Sequence, residues 1–328
     1  MALTEFTTAA AERVQRWSAA LWYEMPREIM FGKFMREDPN AIIEVRRDLE
    51  GQPGDILSYT LMNKLVGAGV TGDDSLEGSE ELLDPDTDTI TLTQRRNAVR
   101  LKGRLSNKRV AFDPEVAAKT VLKTWMAETI DDRIFTELTT SPTRSVFGGT
   151  ATSRATLTTA MTITPARIDA AVAVAYKADP KVWPVRVGGD DYYVLLSHTD
   201  SWFDLRNNSV WQGYQQNGAQ VRGDDNPIFS GRAGLYNETV VHHHEKVPVG
   251  VDAGSGSDVP YAVNLFLGRQ AAIFAWGARP QAWVKEFDYG NSMGYAIGAI
   301  FEVRKSIFAS VDHAVIALQV ARTNNQSS

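Results

Sequence analysis

Residues 73–109 read DDSLEGSEELLDPDTDTITLTQRRNAVRLKGRLSNKR, and the sign of their charge changes midway. The first half carries acidic residues and no basic one: Asp73, Asp74, Glu77, Glu80, Glu81, Asp84, Asp86 and Asp88. The second half carries basic residues and no acidic one: Arg95, Arg96, Arg100, Lys102, Arg104, Lys108 and Arg109. Each half repels itself and attracts the other. If the acidic half of one copy meets the basic half of the next, the contact is head-to-tail and builds rings or shells. This stretch therefore indicates assembly rather than catalysis.

The residues on either side of this charge reversal predict the two strands of a hairpin. Residues 54–66 and 89–105 alternate loosely between apolar and polar side chains, as strands do. Three glycines between residues 67 and 72 end the first strand. We therefore predict a long hairpin with a wide acidic tip, which has too little apolar surface to fold by itself.

A long helix is predicted directly after the basic half. Asp113 can cap the free amides at a helix start, and Pro114 fits the first helical position. One apolar stripe with helical spacing then runs to Leu138, and Ser141-Pro142 ends it. At about 1.5 Å per residue the helix would span roughly 40 Å, so it could form the backbone of a domain.

The N-terminal region is rich in large apolar side chains. Residues 4–25 have the spacing of an amphipathic helix, which Pro26 would end. Exposed aromatic groups near a terminus usually pack on the body of the protein or on a neighbour. We expect four of them to provide firm apolar contacts between copies, namely Trp17, Trp22, Phe31 and Phe34.

The composition excludes several kinds of chemistry. The chain has 328 residues, a net charge of −6 and no cysteine, so disulfides, cysteine–zinc sites and thiol catalysis are excluded. A mildly acidic chain does not bind nucleic acid over its whole surface, because phosphate affinity comes mainly from clustered Lys and Arg. The N-terminus lacks the layout of a signal peptide, and no apolar run is long enough to span a bilayer. We expect a soluble protein, made in the cytoplasm, without a membrane partner.

Three short motifs suggest chemistry without its usual context. Residues 67–72 fit G-x-G-x-x-G, but the carboxylates that follow would repel a diphosphate. Residues 84–88 resemble the start of a calcium loop but lack its later ligands. His242 and His244 would share one face of a strand, as two metal ligands do, without a visible third ligand. We predict no catalytic, cofactor or metal site, and a metal enzyme using His242 and His244 is kept as an alternative.

The basic half, residues 95–109, has an alternative partner in nucleic-acid phosphates. No aromatic side chain lies between its cations, so stacking on single-stranded bases is unsupported. The acidic half of the same chain offers a partner of opposite charge. Charge pairing between copies is therefore the preferred interpretation.

Several strings in the C-terminal half, taken in order, are similar to those of one branch of phage coat proteins. They are Asn226-Pro-Ile-Phe-Ser-Gly231, Gly234-Leu-Tyr236-Asn, and residues 240–247, 267–271, 294–305, 308 and 312–313. With the arm, hairpin and long helix before them, they resemble a tailed-phage major capsid protein of the Hong Kong 97 type over nearly the whole chain.

This resemblance implies an α+β, Hong Kong 97-type capsid fold. Its parts would be an N-terminal arm (1–50), an extended β-hairpin loop (51–110), a peripheral domain with a spine helix (111–160 and 295–328) and an axial domain (161–294). The hairpin of one subunit would lie over its neighbour, and the arm would wrap a second one.

The resemblance also implies a function. Copies of the chain would gather as pentamers and hexamers into an icosahedral head that encloses double-stranded DNA without sequence specificity. Such a head is assembled in the host cytoplasm, forms the virion shell and needs no cofactor. It further implies scaffold, portal and decoration proteins as partners. An encapsulin-like compartment, which shares the fold and encloses enzyme cargo, is an alternative.

The charge pattern and the resemblance together suggest one assembly mechanism. The acidic residues between Asp73 and Asp88 would dock on Arg95, Arg96, Arg100 and Arg104 of an adjoining copy. Each exposed ion pair contributes only about 0.2 to 1 kcal/mol. Many such pairs around a closed shell would add up to stable assembly while letting misplaced subunits leave.

Overall fold

The computed structural model describes residues 29–62, 65, 67–83, 85–109, 113–214, 234–308 and 310–323. Two β-sheets and one long helix form most of this structure. The helices are α1 (Arg104–Lys108), α2 (Pro114–Thr139), α3 (Pro165–Lys177) and α4 (Thr199–Asn207), with 3₁₀ turns at Met30–Lys33 and Arg154–Thr156. The fold is α+β, as predicted. The predicted helix over residues 4–25, with Trp17 and Trp22, lies outside the described residues, as does Asp84.

Helix α2 forms as the sequence predicts. The Asp113 carboxylate accepts a hydrogen bond from the Glu115 amide at 2.9 Å, and Pro114 occupies the first turn. One face of the helix is buried through side chains spaced four residues apart: Leu122, Met126, Ile130, Ile134 and Leu138. This spacing brings them onto the same side of the helix, where they join the main hydrophobic core.

The first sheet lies against α2. Its five strands are β1 (Met35–Arg36), β2 (Ile43–Arg46), β5 (Thr93–Arg100), β13 (Ala272–Phe287) and β14 (Ser292–Lys305), in the order β1-β2-β13-β14-β5. The antiparallel pair β13 and β14 is its centre, and β5 is its outer strand next to β14. Ile297 and Phe301 of β14 belong to the same core as the buried face of α2.

The second sheet has eight strands and contains the remaining long strands. They are β6 (Ser145–Phe147), β7 (Val185–Val187), β8 (Asp190–Ser197), β9 (Leu235–Tyr236), β10 (Thr239–His243), β11 (Val249–Ala253), β12 (Val259–Leu267) and β17 (Val315–Ala321). The order β6-β17-β12-β8-β10-β9 forms its main path, with β11 beside β12 and β7 beside β8. Strands β12 and β17 are almost wholly buried, as expected for a central pair.

A separate two-stranded hairpin consists of β3 (Ile56–Met62) and β4 (Pro85–Thr91), and a second short pair of β15 (Ile307–Phe308) and β16 (Val311–Asp312). The hairpin is present, but its second strand is shorter than predicted. The predicted strand over residues 89–105 divides at Leu92, because the residues before Leu92 pair with β3 and those after it pair with β14. Asp86 and Asp88 consequently lie in a strand and not in the acidic tip.

The predicted domain boundary at residue 294 does not coincide with the change from one sheet to the other. Strands β13 and β14 pair over nearly their whole length, so residue 294 lies inside a single antiparallel pair. Strand β17, predicted to belong with the spine helix, pairs with β12 in the eight-stranded sheet instead. The reason is that both sheets draw strands from distant parts of the chain. In the part of the chain that is described, no helix has the length and apolar character needed to cross a membrane.

The buried face of α2 generates a first prediction. Ile130 is completely buried, and Ile130→Ala removes methyl and methylene groups from a core that cannot fully close around the gap. We expect the free energy of unfolding of the unassembled subunit to fall by about 2–4 kcal/mol in urea titrations. Val121 lies on the exposed side of the same helix, and Val121→Ala should change it by less than about 0.5 kcal/mol. Equal effects of the two substitutions would contradict this assignment of faces.

The buried imidazole of His313 generates a second prediction. Burial, with added repulsion from the guanidinium groups of Arg144 and Arg269, lowers the pKa of His313 from 6.5 to about 4. The unfolded chain therefore binds a proton near pH 6.5, whereas the folded chain binds it only near pH 4. The free energy of unfolding consequently decreases as the pH falls from about 6.5 towards 4. Between pH 7.5 and 5.0 this group alone should cost about 2 kcal/mol of unfolding free energy.

The measurement compares wild type with His313→Gln by urea unfolding at both pH values. Other histidines are present in both proteins, so their contributions cancel. The loss of stability on acidification should be about 2 kcal/mol smaller in the variant. The same loss in both proteins would show that His313 is not the responsible group.

Candidate assembly interface

The hairpin is fastened to the first sheet at its base by an ion pair. The Arg304 guanidinium of β14 donates to the Asp88 carboxylate of β4 at 3.0 and 3.2 Å, and the Tyr59 hydroxyl of β3 donates to it at 2.9 Å. Burial alone would raise the pKa of Asp88, but the hydrogen bonds from Arg304, the Thr89 amide and Tyr59 outweigh it and lower that pKa. Asp88 therefore contributes within its own subunit, which removes it from the predicted set of docking acids.

Apolar contacts complete this attachment. Ile90 of β4 is buried together with Ile273 and Ala275 of β13, and Leu57 and Leu92 pack against the three. Gly277 of β13 leaves room here, since a Cβ at that position would come within 2.8 Å of Leu92. The base of the hairpin thus covers one end of the first sheet, on the face that includes Arg304.

The tip of the hairpin, defined here as residues 65 and 67–83, is exposed, in contrast to the base. Its acids Asp73, Asp74, Glu77, Glu80 and Glu81 are exposed. So are its four leucines, and Leu82 is 90% exposed. Leu65, Leu76 and Leu83 are about 60% exposed as well. The tip therefore presents both carboxylates and apolar side chains to solvent.

The basic strand β5 directs its arginines to two different sides. Arg95 pairs with Glu302 at 2.6 Å, and Arg133 of α2 binds the other oxygen of the same carboxylate at 2.5 Å. Arg95 was predicted to receive acids of a neighbour, but it already neutralises a nearly buried carboxylate of its own chain. Removing its charge would leave Glu302 with less compensation, so Arg95 is a structural residue of the subunit.

The remaining arginines of the predicted docking set differ in how far they are engaged. Arg96 is exposed on the strand that forms the sheet edge. The Arg100 guanidinium donates to the Ser292 hydroxyl at 3.0 Å and lies 4.1 Å from the centre of the Phe287 ring. Arg104, in α1, donates to the Gly290 carbonyl at 3.2 Å. Arg96 and Arg100 are exposed, and among the described residues neither forms an ion pair with an acid of its own chain, so both can meet an outside carboxylate.

A groove of about 730 Å³ runs beside these two arginines. Strand β14 supplies its floor through Gly294 and Ala296, and β5 and β13 supply its walls. Besides Arg96 and Arg100, the walls include Trp283, Lys285 and Phe287. None of the described residues that line the groove is acidic.

Phe31 lies inside the subunit, and Phe34 is partly buried. Phe31 is fully buried, with its ring 4.8 Å from that of Phe135 in α2. The Asp131 carboxylate accepts hydrogen bonds from the backbone amides of Met30 and Phe31 and so fixes this segment on α2. Phe31 has no surface left for a neighbour, which corrects its predicted role. Phe34 is partly buried and packs against the main core, with its ring edge-on to His242.

The histidine motif does not form a metal site in the described part of the chain, where no group of three or more His, Asp or Glu side chains is arranged to hold an ion. His242 lies 3.3 Å from the Lys33 ammonium, which would repel a cation. The ring of His244 stacks on Phe135, and its Nδ1 accepts from the Lys246 amide. Burial lowers the pKa of His244. These side chains fill space between elements, which explains the motif without a metal.

The G-x-G-x-x-G string at residues 67–72 is likewise structural. Among the described residues from 67 to 83 no helix follows it, so it lacks the helix N-terminus that a diphosphate requires. The Gly67 amide donates instead to the Glu81 carboxylate at 2.7 Å, within the tip. The string is therefore part of a loop.

The groove was not predicted from the sequence. The sequence does contain a signal for a groove, because Gly294, Ala296 and Gly298 place small residues at every second position of β14. One face of the strand therefore has no large side chain over this stretch. The walls, however, come from residues about 190 positions apart, which only the pairing of β5 and β13 with β14 brings together.

Known phage proteins are similar to this chain along most of its length. The family model described as phage capsid protein matches residues 5–141 and 132–322. A major capsid protein of Pseudomonas phage KPP25 is 26% identical over 371 aligned positions that cover 97% of each chain.

Solved capsid structures agree with this family match. The capsid of Ralstonia phage GP4 has a TM-score of 0.80 and 31% identity, covering 90% of this chain and 91% of that chain. The capsid asymmetric unit of cyanophage Pam1 shares the fold, with a TM-score of 0.79 and 23% identity, covering 90% and 92% of the two chains. The chain therefore belongs to the phage capsid protein family.

Proposed function

We propose that this chain is the major capsid protein of a tailed phage and that many copies of it assemble into the icosahedral shell of the virion. The observation that carries the proposal is its 31% identity and common fold with the GP4 capsid over 90% of the chain. The exposed tip and the open groove support it, because both are surfaces that the described residues of a single subunit leave uncovered.

Assembly in this proposal is head-to-tail. The acidic tip of one copy lies on the Arg96 and Arg100 side of the next, and the repeat of this contact closes rings of five and six subunits. The two arginines and the tip acids are exposed, so each ion pair contributes about 0.2 to 1 kcal/mol and weakens with salt. Arg95 and Asp88 take no part, because each is already paired within its own subunit.

Two structural domains support the shell. We propose that one comprises α2 with the five-stranded sheet and corresponds to the peripheral domain, and that the other comprises the eight-stranded sheet with α3 and α4 and corresponds to the axial domain. This division assigns residues 272–305 to the peripheral domain and 311–321 to the axial one, in place of a single boundary at 294.

Further partners follow from the function of a phage head. The shell would enclose double-stranded DNA without sequence specificity, would be assembled in the host cytoplasm and would act together with scaffold, portal and decoration proteins. No enzymatic activity or cofactor is part of the proposal. The KPP25 and GP4 proteins are capsid proteins of phages, which favours this function over an encapsulin-like compartment.

Electron microscopy of the protein expressed alone tests the proposal directly. We expect closed shells or tubes of uniform subunit packing, which shift to dissociated subunits at high salt. A protein that stays monomeric at all protein and salt concentrations would overturn the proposed function. Copurification of an enzyme inside shells would favour the compartment alternative instead.

Charge reversal tests the head-to-tail contact. The double substitution Arg96→Glu and Arg100→Glu gives a subunit whose strand and tip are both acidic, so neighbouring copies repel each other at this contact. We expect a folded subunit that forms few or no shells by light scattering and electron microscopy. Glu77→Lys with Glu80→Lys places two lysines of the tip opposite the basic strand and should weaken assembly as well.

The decisive control combines all four substitutions in one chain. Each contact then places two lysines of the tip opposite two glutamates of the strand, and assembly should return towards the level of wild type. Lys177→Glu with Arg206→Glu reverses two exposed charges elsewhere and should leave assembly at this contact unaffected. Normal assembly of either double variant, or no recovery in the combined one, would refute charge pairing between tip and strand.

A further inference from the structure

The groove and the base of the hairpin lie on the same face of the first sheet. Successive side chains of β14 point to opposite faces of the sheet, so the even-numbered residues share one face. They include Gly294, Ala296, Gly298, Ile300 and Arg304. Arg304 binds the hairpin through Asp88, and Ile300 approaches Gly277 beneath Leu92. The hairpin therefore covers the part of this face near Arg304, and no described residue covers the part near Gly294.

Small residues on the central strand make the open part concave. Gly294 is paired with Arg100 on one side and Lys285 on the other, and Ala296 is paired with Ala98 and Trp283. A Cβ at Gly298 would come within 3.0 Å of Trp283, and one at Gly294 within 2.9 Å of Phe287. The neighbouring aromatic rings thus lean over the glycines, and larger residues would fill the groove.

The opposite face of the same strands is closed. Tyr295, next to Gly294, turns towards α2, where the Lys119 ammonium lies 5.7 Å from the centre of its ring. Tyr295 is only 3% exposed, whereas Trp283 on the groove side is 44% exposed. The two faces therefore differ because α2 occupies one, whereas no described residue of the same subunit occupies the part of the other near Gly294.

Cations surround the aromatic wall of the groove. Phe287 has the Arg100 guanidinium 4.1 Å and the Lys285 ammonium 5.0 Å from its ring centre. Arg96 stands beside Trp283 across Gly298. An apolar floor beneath three cations, with no acid among the described lining residues, suits a ligand that carries apolar groups next to carboxylates.

One exposed segment of the chain has this combination. Residues 80–83 read Glu-Glu-Leu-Leu, and the two leucines are 90% and 62% exposed. No residue of the tip is among those lining the groove, so the tip of the same subunit does not occupy it in this structure. A second copy offers the same segment on a hairpin that projects from its body.

We propose that Leu82 and Leu83 of one subunit insert into the groove over Ala98, Gly294 and Ala296 of the next, with Glu80 and Glu81 facing Arg96, Arg100 and Lys285. The proposal rests on the head-to-tail assembly proposed above and adds to it an apolar anchor with a defined socket. Burial of two leucines supplies the part of the contact that salt does not screen.

Cysteine cross-linking tests the contact cleanly because the chain has no cysteine of its own. Leu82→Cys and Ala98→Cys are introduced into the same chain, shells are assembled under reducing conditions, and a mild copper oxidant is then added. A disulfide forms only if the two Cβ atoms approach to about 4 Å. We expect a ladder of dimers, trimers and larger species on a denaturing, non-reducing gel. Leu83→Cys with Ala98→Cys is a second pair in case the first one disturbs assembly.

Two controls distinguish the possible outcomes. Leu82→Cys with Val251→Cys places the second thiol on the exposed strand β11 of the other sheet and should give no ladder. A shifted monomer from the first pair would indicate that the tip folds back into the groove of its own subunit and would overturn the proposal. Shells that form without a ladder from either pair would overturn it too, while leaving the shell function intact. If the wild-type protein forms no shells, both proposals fail together.

The apolar part is measured separately from the charges. Leu82→Ser with Leu83→Ser should raise the protein concentration needed for half-maximal assembly about tenfold or more, and high salt should not mask the difference. Leu65→Ser, at another exposed leucine of the hairpin, is the matched control and should assemble like wild type. Equal assembly of the two variants would contradict the leucine anchor.

Discussion

A sheet with two apolar faces needs cover on both, and this requirement governs the arrangement of the whole subunit. Helix α2 covers one face of the five-stranded sheet along the buried stripe from Leu122 to Leu138. On the other face, the hairpin base covers Ile273 and Ala275, and the cover ends near Gly277. The elements that cover each face of this sheet determine the position of the hairpin, the orientation of the arginines and the position of the groove.

The arginines of β5 have different functions because successive residues of this strand point to opposite faces of the sheet. Arg95 is held by Glu302, which also receives Arg133 from α2, so this arginine links sheet and helix. Arg96, one residue later, lies on the strand beside the groove. A run of like charges in the sequence is therefore divided between internal stability and an outer surface by the alternation of a strand.

Local sequence signals predicted the parts of the fold that local chemistry determines. Asp113-Pro114 and the apolar stripe after it predicted α2, and the charge reversal predicted a hairpin with an acidic tip. The division at Leu92 could not be predicted, since residues 85–91 and 93–100 have the same alternating pattern yet pair with different partners. The partner of Arg95 lies 207 residues away, and the aromatic wall of the groove comes from a strand that only tertiary pairing places there. Phe31 was misplaced for a similar reason, because its burial depends on Asp131 and Phe135 of a helix 100 residues further on.

The ion pair between Asp88 and Arg304 attaches the hairpin to the sheet, so this pair is the pivot about which the hairpin can tilt. Tyr59 and Asp88 lie opposite each other, three residues before the ladder ends at Met62 and Pro85, so the end of the ladder stands about 10 Å from the pivot at roughly 3.3 Å per residue. A tilt of about 10° at Tyr59 and Asp88 would then move the end of the ladder by about 2 Å. If the tip contacts the next subunit as proposed, the side chains at this pivot would set the angle between subunits, and hence how strongly the surface they build is curved.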